Sequence, residues 1–272
     1  MDWYYICLHI KHIKFMKTAM ITGASSGIGL ELAKIHAANG DNLVLIARSK
    51  DKLAALKTDI LSKHKIQILL IEKDLSKTEA AQEVYDSVKS NGIAVDYLIN
   101  NAGFGDYGLF AETNWEKELQ MVNLNIITLL HLSKLFVKDM IERKSGKIMN
   151  VASTAAFVPG PLMAVYFASK AFVLHFSEAI NEELKPHCIS VTALCPGPTE
   201  SGFQEVAAMQ DSKLVKGKKL PSSEIVARYG YDAMMKGKAV AIHGLMNKIL
   251  ANSVRFTPRW LVVKLTVLLQ KK

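Results

Sequence analysis

Tyr166 and Lys170 stand four residues apart in a long apolar-periodic run, Pro161 to Lys185, that reads as a helix. That spacing puts both side chains on one face, one turn apart. A free phenol ionises near pH ~10, and a neighbouring ammonium favours the phenolate, so the pair eases proton exchange at the phenol oxygen. Thirteen residues upstream, Ser153 follows a strand-like run from Lys147 to Ala152. A hydroxyl there would hold a substrate oxygen beside the phenol. Taken alone, a Tyr and a Lys at this spacing also describe an ordinary solvated helix face, so the surrounding elements decide.

Those elements alternate. Thr18 to Thr22 is a short apolar strand; Gly23-Ala24-Ser25-Ser26-Gly27-Ile28-Gly29 follows, and then a helix from Leu30 to Ala38 stopped by Asn39-Gly40. Further strands are expected at Asn42–Ala47, Ile66–Ile71, Val95–Ile99 and Ile189–Leu194, with an edge strand at Ala239–Ile242. Helices are expected at Lys50–His64, Ser76–Ser90, Asn114–Arg143 and Ser222–Met235, and the Tyr/Lys helix ends at Pro186. Strands in alternation with helices of this length imply right-handed crossovers and a parallel sheet, and buried parallel strands are continuously apolar, as these are. The fold class is α/β: a doubly wound Rossmann-type sheet of about seven parallel strands with helices on both faces. Residues 17–272 form a single domain, preceded by an extension at 1–16. It includes a loop at about 196–220, long enough to be functional.

The glycine turn between the first strand and helix lets backbone amides approach a pyrophosphate at the positive end of the helix. Its spacing, Gly23-x-x-x-Gly27-x-Gly29, is not the common GxGxxG. An acid at the end of the second strand would bind the 2′-hydroxyl of NAD; here the chain reads Ala47-Arg48-Ser49. Arg48 pairs with a 2′-phosphate that an acid would repel, which predicts NADP(H) over NAD(H).

In order along the chain, Thr22 to Gly29, Asp74, Asn100-Asn101-Ala102-Gly103, Asn125, Ser153, Tyr166 with Lys170, and Pro196-Gly197-Pro198-Thr199 resemble the short-chain dehydrogenase/reductase family over about Lys17 to Lys238. The resemblance implies that Tyr166 exchanges a proton with a carbonyl or alcohol oxygen, that Lys170 depresses the tyrosine pKa and holds the nicotinamide ribose, that Ser153 orients the carbonyl, and that Asn125 positions a water beside Lys170. It also implies cofactor contacts at Gly23, Ser25, Ser26, Gly27, Ile28, Gly29, Arg48, Ser49, Asp74, Leu75, Asn101, Ala102, Gly103, Tyr166, Lys170, Pro196, Gly197 and Thr199. Phe104, Ala155, Val158, Met163 and Phe203 would choose the substrate. They are apolar, so a hydrophobic ketone or aldehyde and its alcohol are expected, with 3-oxoacyl thioesters and hydroxysteroids as alternatives. A protein that only senses NADP(H) on the same scaffold is a reading of another class, and the intact Asn/Ser/Tyr/Lys set argues against it.

Half of the 272 residues are hydrophobic, enough for a large core, and the formal charge is +9. The basic residues are scattered apart from a short cluster at Lys213–Lys219, unlike a nucleic-acid stripe. Cys7, Cys188 and Cys195 lack CxxC spacing and indicate neither a disulfide framework nor a metal site, so a cytoplasmic setting is the default. Met1 to Met16 lacks the plan of a signal peptide; it reads as an upstream extension before a natural start at Met16, or as an interfacial anchor.

The ending, about 258–270, is a strongly apolar helix with basic ends, similar to that of DltE-like reductases. It packs on the domain or a second subunit, or lies on a membrane surface, which would make the protein membrane-associated. The helices at Asn114–Arg143 and Ala164–Lys185 are apolar beyond one face, as in a homodimer or homotetramer.

Overall fold

The computed structural model describes residues 16–203, 217 and 219–270. The expected extension at 1–16, apart from Met16, most of the loop tip and Lys271–Lys272 lie outside the described residues. In chain order the elements are β1 (Thr18–Thr22), α1 (Gly27–Ala38), β2 (Asn42–Ala47), α2 (Lys50–Leu61), β3 (Ile68–Glu72), α3 (Ala80–Ser90), β4 (Tyr97–Asn100), α4 (Trp115–Val122), a π-helical turn (Asn123–Thr128), α5 (Leu129–Arg143), β5 (Gly146–Val151), a 3₁₀ turn (Thr154–Phe157), α6 (Ala164–Leu184), β6 (Ile189–Cys195), α7 (Ser223–Met235), β7 (Val240–Ile242), α8 (Leu245–Ser253) and α9 (Arg259–Gln270).

The seven strands form one parallel sheet in the order β3-β2-β1-β4-β5-β6-β7. Every residue of β1 and β4 is buried, as a sheet covered on both faces requires. Strand order reverses between β1 and β4, and a crevice opens there at the carboxyl ends. On one face α1, α2 and α7 pack through Leu32, Leu53 and Val226; on the other, α3 and α5 pack through Val84, Leu132 and Phe136.

Several boundaries differ from the sequence expectation for local reasons. α3 starts at Ala80 rather than Ser76, because the Asp74 carboxylate accepts from the Ser76 amide and hydroxyl at 3.0 and 2.8 Å and holds a turn. The expected helix Asn114–Arg143 does form, capped by the Asn114 side chain on the Lys117 amide, but one turn widens to π geometry at Asn123–Thr128. Its length and composition would suit a membrane span. Yet Leu129, Leu132, Phe136 and Met140 on this helix are buried in the protein. Cys195 is a buried free thiol.

A buried polar chain fixes α5 and α6 against the sheet. Asn100 Nδ2 donates to Ser133 Oγ at 3.1 Å and to Asn150 Oδ1 at 2.9 Å, and Asn150 Nδ2 donates to Ser177 Oγ at 2.9 Å. Leaving such groups unpaired would be costly, so this chain sets the rotation of α6 about its axis.

Candidate active site

α6 presents Tyr166 and Lys170 toward the carboxyl end of β5. Tyr166 is only 8% exposed, and the nearby Ser153 hydroxyl acts to lower the pKa of its phenol. Ser153 lies just past β5, where its Oγ also accepts from the Ala155 amide at 3.1 Å. Lys170 is buried. Its Nζ donates to the Val151 carbonyl at 2.7 Å and lies 5.8 Å from the centre of the Tyr166 ring. An ammonium has three donors. With no carboxylate paired to it among the described residues, Lys170 is suited to an acceptor arriving from outside.

Burial sets the ionisation of both groups. It pushes the Tyr166 phenol up to about 12, with the Ser153 hydrogen bond pulling the other way. It pushes the Lys170 amine down to about 8. The expected depression of the phenol by Lys170 is therefore not produced by this chain's own groups, because loss of water outweighs any help from the amine at that separation.

Asn125 sits in the π-helical turn, nearly fully buried. Its Nδ2 donates to the Phe104 carbonyl at 2.9 Å and to Ser169 Oγ at 3.1 Å, while its Oδ1 accepts from the Phe104 amide at 3.2 Å. A one-residue widening of a helix re-aims the side chains on it, and such turns gather at functional sites. Gly103 keeps the neighbourhood open: a Cβ there would lie 2.9 Å from Asn125 Oδ1 and 3.4 Å from Lys170 Nζ.

All five residues expected to choose the substrate come together. Phe104, Ala155, Val158, Met163 and Phe203 share one apolar cluster with Tyr166, joined by Met121, Tyr107 and Phe167. The Phe203 ring is 5.2 Å from the Tyr166 ring, centre to centre. Gly105, unnoticed in the sequence, permits this closeness, since a Cβ there would lie 2.9 Å from Phe203 and 3.2 Å from Tyr166.

The glycine turn forms a cradle at the start of α1. Gly23 and Gly27 adopt left-handed φ values of 67° and 57°. Ser26, the N-cap residue, makes no side-chain capping bond, which leaves the first amides of α1 available. Asn101 clamps the turn: its Nδ2 donates to the Thr22 and Gly23 carbonyls at 2.9 and 3.1 Å, and a Cβ at Gly29 would come within 2.4 Å of it. Thr22 Oγ1 accepts from the Asn101 and Ala102 amides at 2.9 and 3.0 Å. Open amides at a helix start, a glycine lining and a buried ammonium with no carboxylate partner among the described residues together fit an anionic dinucleotide.

The remaining expected residues lie around that cradle. Ser25 is part-buried beside it and Ile28 packs on the core. Arg48 is exposed at the end of β2, with Ser49 preceding α2. Burial works to raise the Asp74 carboxyl, but the Ser76 hydrogen bonds and the charges of Arg48 and Lys77 hold it below its usual range. The Leu75 side chain is core, while its carbonyl accepts from Thr128 Oγ1 at 2.6 Å. The Pro196 carbonyl accepts from the Thr154 amide at 2.8 Å, and Thr199 Oγ1 donates to the Gly197 carbonyl at 2.9 Å. Gly197 is pressed against Asn247 on α8, with 2.6 Å between its ideal Cβ and Nδ2.

Sequence reasoning missed Tyr107 and Gln270. The Tyr107 hydroxyl donates to the Gln270 carbonyl at 3.0 Å, so the end of α9 reaches the apolar cluster. Nothing in either local pattern announces that contact.

Comparison with known proteins gives a consistent answer. The family model described as short chain dehydrogenase matches residues 17–211. The chain is 30% identical to the mouse very-long-chain 3-oxoacyl-CoA reductase over 256 residues, which are 91% of this chain and 77% of that protein. A short-chain dehydrogenase from Sphingobium yanoikuyae, solved in complex with NADPH, superposes with a TM-score of 0.80 at 27% identity, covering 89% of this chain and 93% of that one. The bulky-bulky ketone specific alcohol dehydrogenase from Comamonas testosteroni gives 0.76 at 28% identity, covering 89% and 92%.

Proposed function

The chain belongs to the short chain dehydrogenase family, and from that premise we propose that it interconverts a hydrophobic ketone and its alcohol with NADP(H) as the preferred nucleotide. It is an oxidoreductase on a Rossmann-type fold. The observation that carries the proposal is the buried Tyr166 phenol, beside Ser153 in an apolar cluster and one helical turn from a buried Lys170.

In this reading the substrate oxygen takes the place between the Ser153 and Tyr166 hydroxyls. Ser153 would orient it and Tyr166 would give it a proton during reduction, or remove one during oxidation. At neutral pH the phenol holds its proton, as an acid for the reductive direction must. The free donors of Lys170 would bind ribose hydroxyls. The nucleotide, when bound, supplies or accepts the hydride. Asn125 spends both its donors on the Phe104 carbonyl and Ser169, which supports a positioning role, while its Oδ1 borders Gly103 alongside Lys170.

Arg48, with no acid on the end of β2, supports the choice of NADP(H), and so does the NADPH complex of the Sphingobium relative. A second reading, a 3-oxoacyl thioester as substrate, is favoured by the likeness to the mouse reductase of that name. Exposed Ile127 and Phe172 on the two long helices suit a homodimer or homotetramer. We propose a cytoplasmic setting for the protein.

Tyr166→Phe tests the reaction. Loss of the proton donor should cut turnover by about 10²–10⁴-fold with NADPH affinity retained. Undiminished turnover in that variant ends the proposal.

A further inference from the structure

The chain's charge is unevenly placed. Of 34 Lys and Arg against 25 Asp and Glu, eight basic residues and no acidic one lie after Asp232. Almost all of the +9 charge therefore belongs to the last forty residues, and the rest of the chain is close to neutral.

That stretch is also where large apolar side chains face outward. On α8, Leu245, Met246, Ile249 and Leu250 are exposed, Leu245 by 74%, and their spacing places them on one face. Phe256, between the helices, is 90% exposed. On α9 the buried stripe is Val262, Thr266 and Gln270, four residues apart, and Trp260, Leu265, Leu268 and Leu269 are exposed. Lys248, Arg255, Arg259 and Lys264 are interspersed, with Lys264 Nζ 5.2 Å from the Trp260 ring centre. Twelve residues of α9 reach about 18 Å, too short to cross a bilayer.

We propose that the outward face of α8 and α9 docks in the plane of an anionic lipid bilayer, and that the oxidoreductase takes its carbonyl substrate from that bilayer. Apolar side chains in a purely basic setting match acyl chains beneath anionic headgroups. A second copy of this chain is disfavoured as occupant, because a two-fold contact through α8 and α9 would set basic residues against basic residues, and neither helix carries an acid. The same two helices adjoin the candidate site. Asn247 of α8 abuts Gly197, and the Gln270 carbonyl of α9 accepts from Tyr107, a member of the apolar cluster around Tyr166. The Gln270 amide is 1% exposed and neither of its polar atoms has a partner, so a polar group is wanted where α9 meets that cluster. A ketone leaving the bilayer at this face would enter beside the phenol. This second half rests on the proposed reductase activity; the docking half does not.

Flotation of the full chain with phosphatidylglycerol-containing vesicles, and with phosphatidylcholine alone, tests the docking. The expected result is co-flotation with the anionic vesicles and loss of it in two variants. One is Leu245→Ser with Ile249→Ser; the other is Lys248→Glu with Arg259→Glu. All four positions are solvent-exposed, and thermal melts of the variants check that they fold. A wild-type chain that stays with the soluble fraction, or variants that float as it does, overturns the docking. So does a change in sedimentation mass in the variants, which would assign the face to contact between copies. NADPH oxidation is then followed with a long-chain ketone carried in anionic vesicles and with a short soluble ketone. Loss of the first alone in the variants is expected. Equal rates overturn delivery from the bilayer, and no turnover of either ketone with flotation intact overturns the reductase reading while docking stands.

Discussion

Lys170 Nζ donates to the Val151 carbonyl at 2.7 Å, so the buried amine of α6 is tethered to the end of β5 by a neutral acceptor and not by a carboxylate. Burial holds its folded pKa at about 8, below the 10.5 of an ordinary lysine. Between those values the unfolded chain binds the proton that the folded chain has released. Stability therefore rises with pH through that window and is lowest below pH ~8. Lys170→Met should be more stable than wild type near neutral pH, by at most about 3 kcal/mol, and should flatten the rise. Urea denaturation across the window checks this, and parallel slopes for the two proteins would refute it. NADPH affinity should fall in the same variant, since the free donors are gone.

Arg48→Asp tests the nucleotide preference. A charge-assisted hydrogen bond is worth about 1.5–3 kcal/mol, so kcat/KM for NADPH should drop by roughly 10–100-fold while that for NADH holds or improves. An unchanged ratio would show that Arg48, exposed as it is, never meets the 2′-phosphate.

The sheet was legible because buried parallel strands leave continuous apolar runs: Thr18–Thr22 and Asn42–Ala47 were read to the residue. The gathering of Phe104, Ala155, Val158, Met163 and Phe203 round Tyr166 was also legible, since ordered motifs fix which loops meet. Other features left no periodic trace. The π-helical turn at Asn123–Thr128 adds a residue to one turn without disturbing the apolar pattern around it. α8 escaped notice because its apolar residues face outward, so no core-facing stripe marks it. Gln270 is a polar residue buried by tertiary contact alone. The phenol's raised pKa depends on what excludes water from Tyr166, chiefly side chains distant in sequence.

Asn125→Ala would leave the Phe104 amide and carbonyl without their partner and Ser169 short of one. Each buried polar group left unpaired costs about 1–3 kcal/mol, so a loss of at least ~2 kcal/mol is expected in urea denaturation. Because Phe104 belongs to the apolar cluster, kcat should fall alongside stability. Asn125→Asp keeps the acceptor for the Phe104 amide but lacks both donors and should not rescue. Full rescue by Asp would mean that the donated bonds carry nothing.

Phe203 packs 5.2 Å from the Tyr166 ring and shares an apolar cluster with it and Met163. Phe203→Ala should have two linked effects. More room beside the phenol should raise kcat/KM for a bulky ketone relative to a small one by roughly tenfold, the scale at which an apolar pocket discriminates. Water admitted to the phenol should also bring its pKa down from about 12 toward 10.0, because burial is the cause of the rise. In the proposed mechanism reduction needs the protonated phenol, so its alkaline limb should move to lower pH in the variant, and oxidation, which would need the phenolate, should become faster at a given alkaline pH. Profiles of both directions for wild type and variant would test the link: a change in selectivity without movement of either limb would mean that Phe203 shapes the pocket but does not keep water from Tyr166.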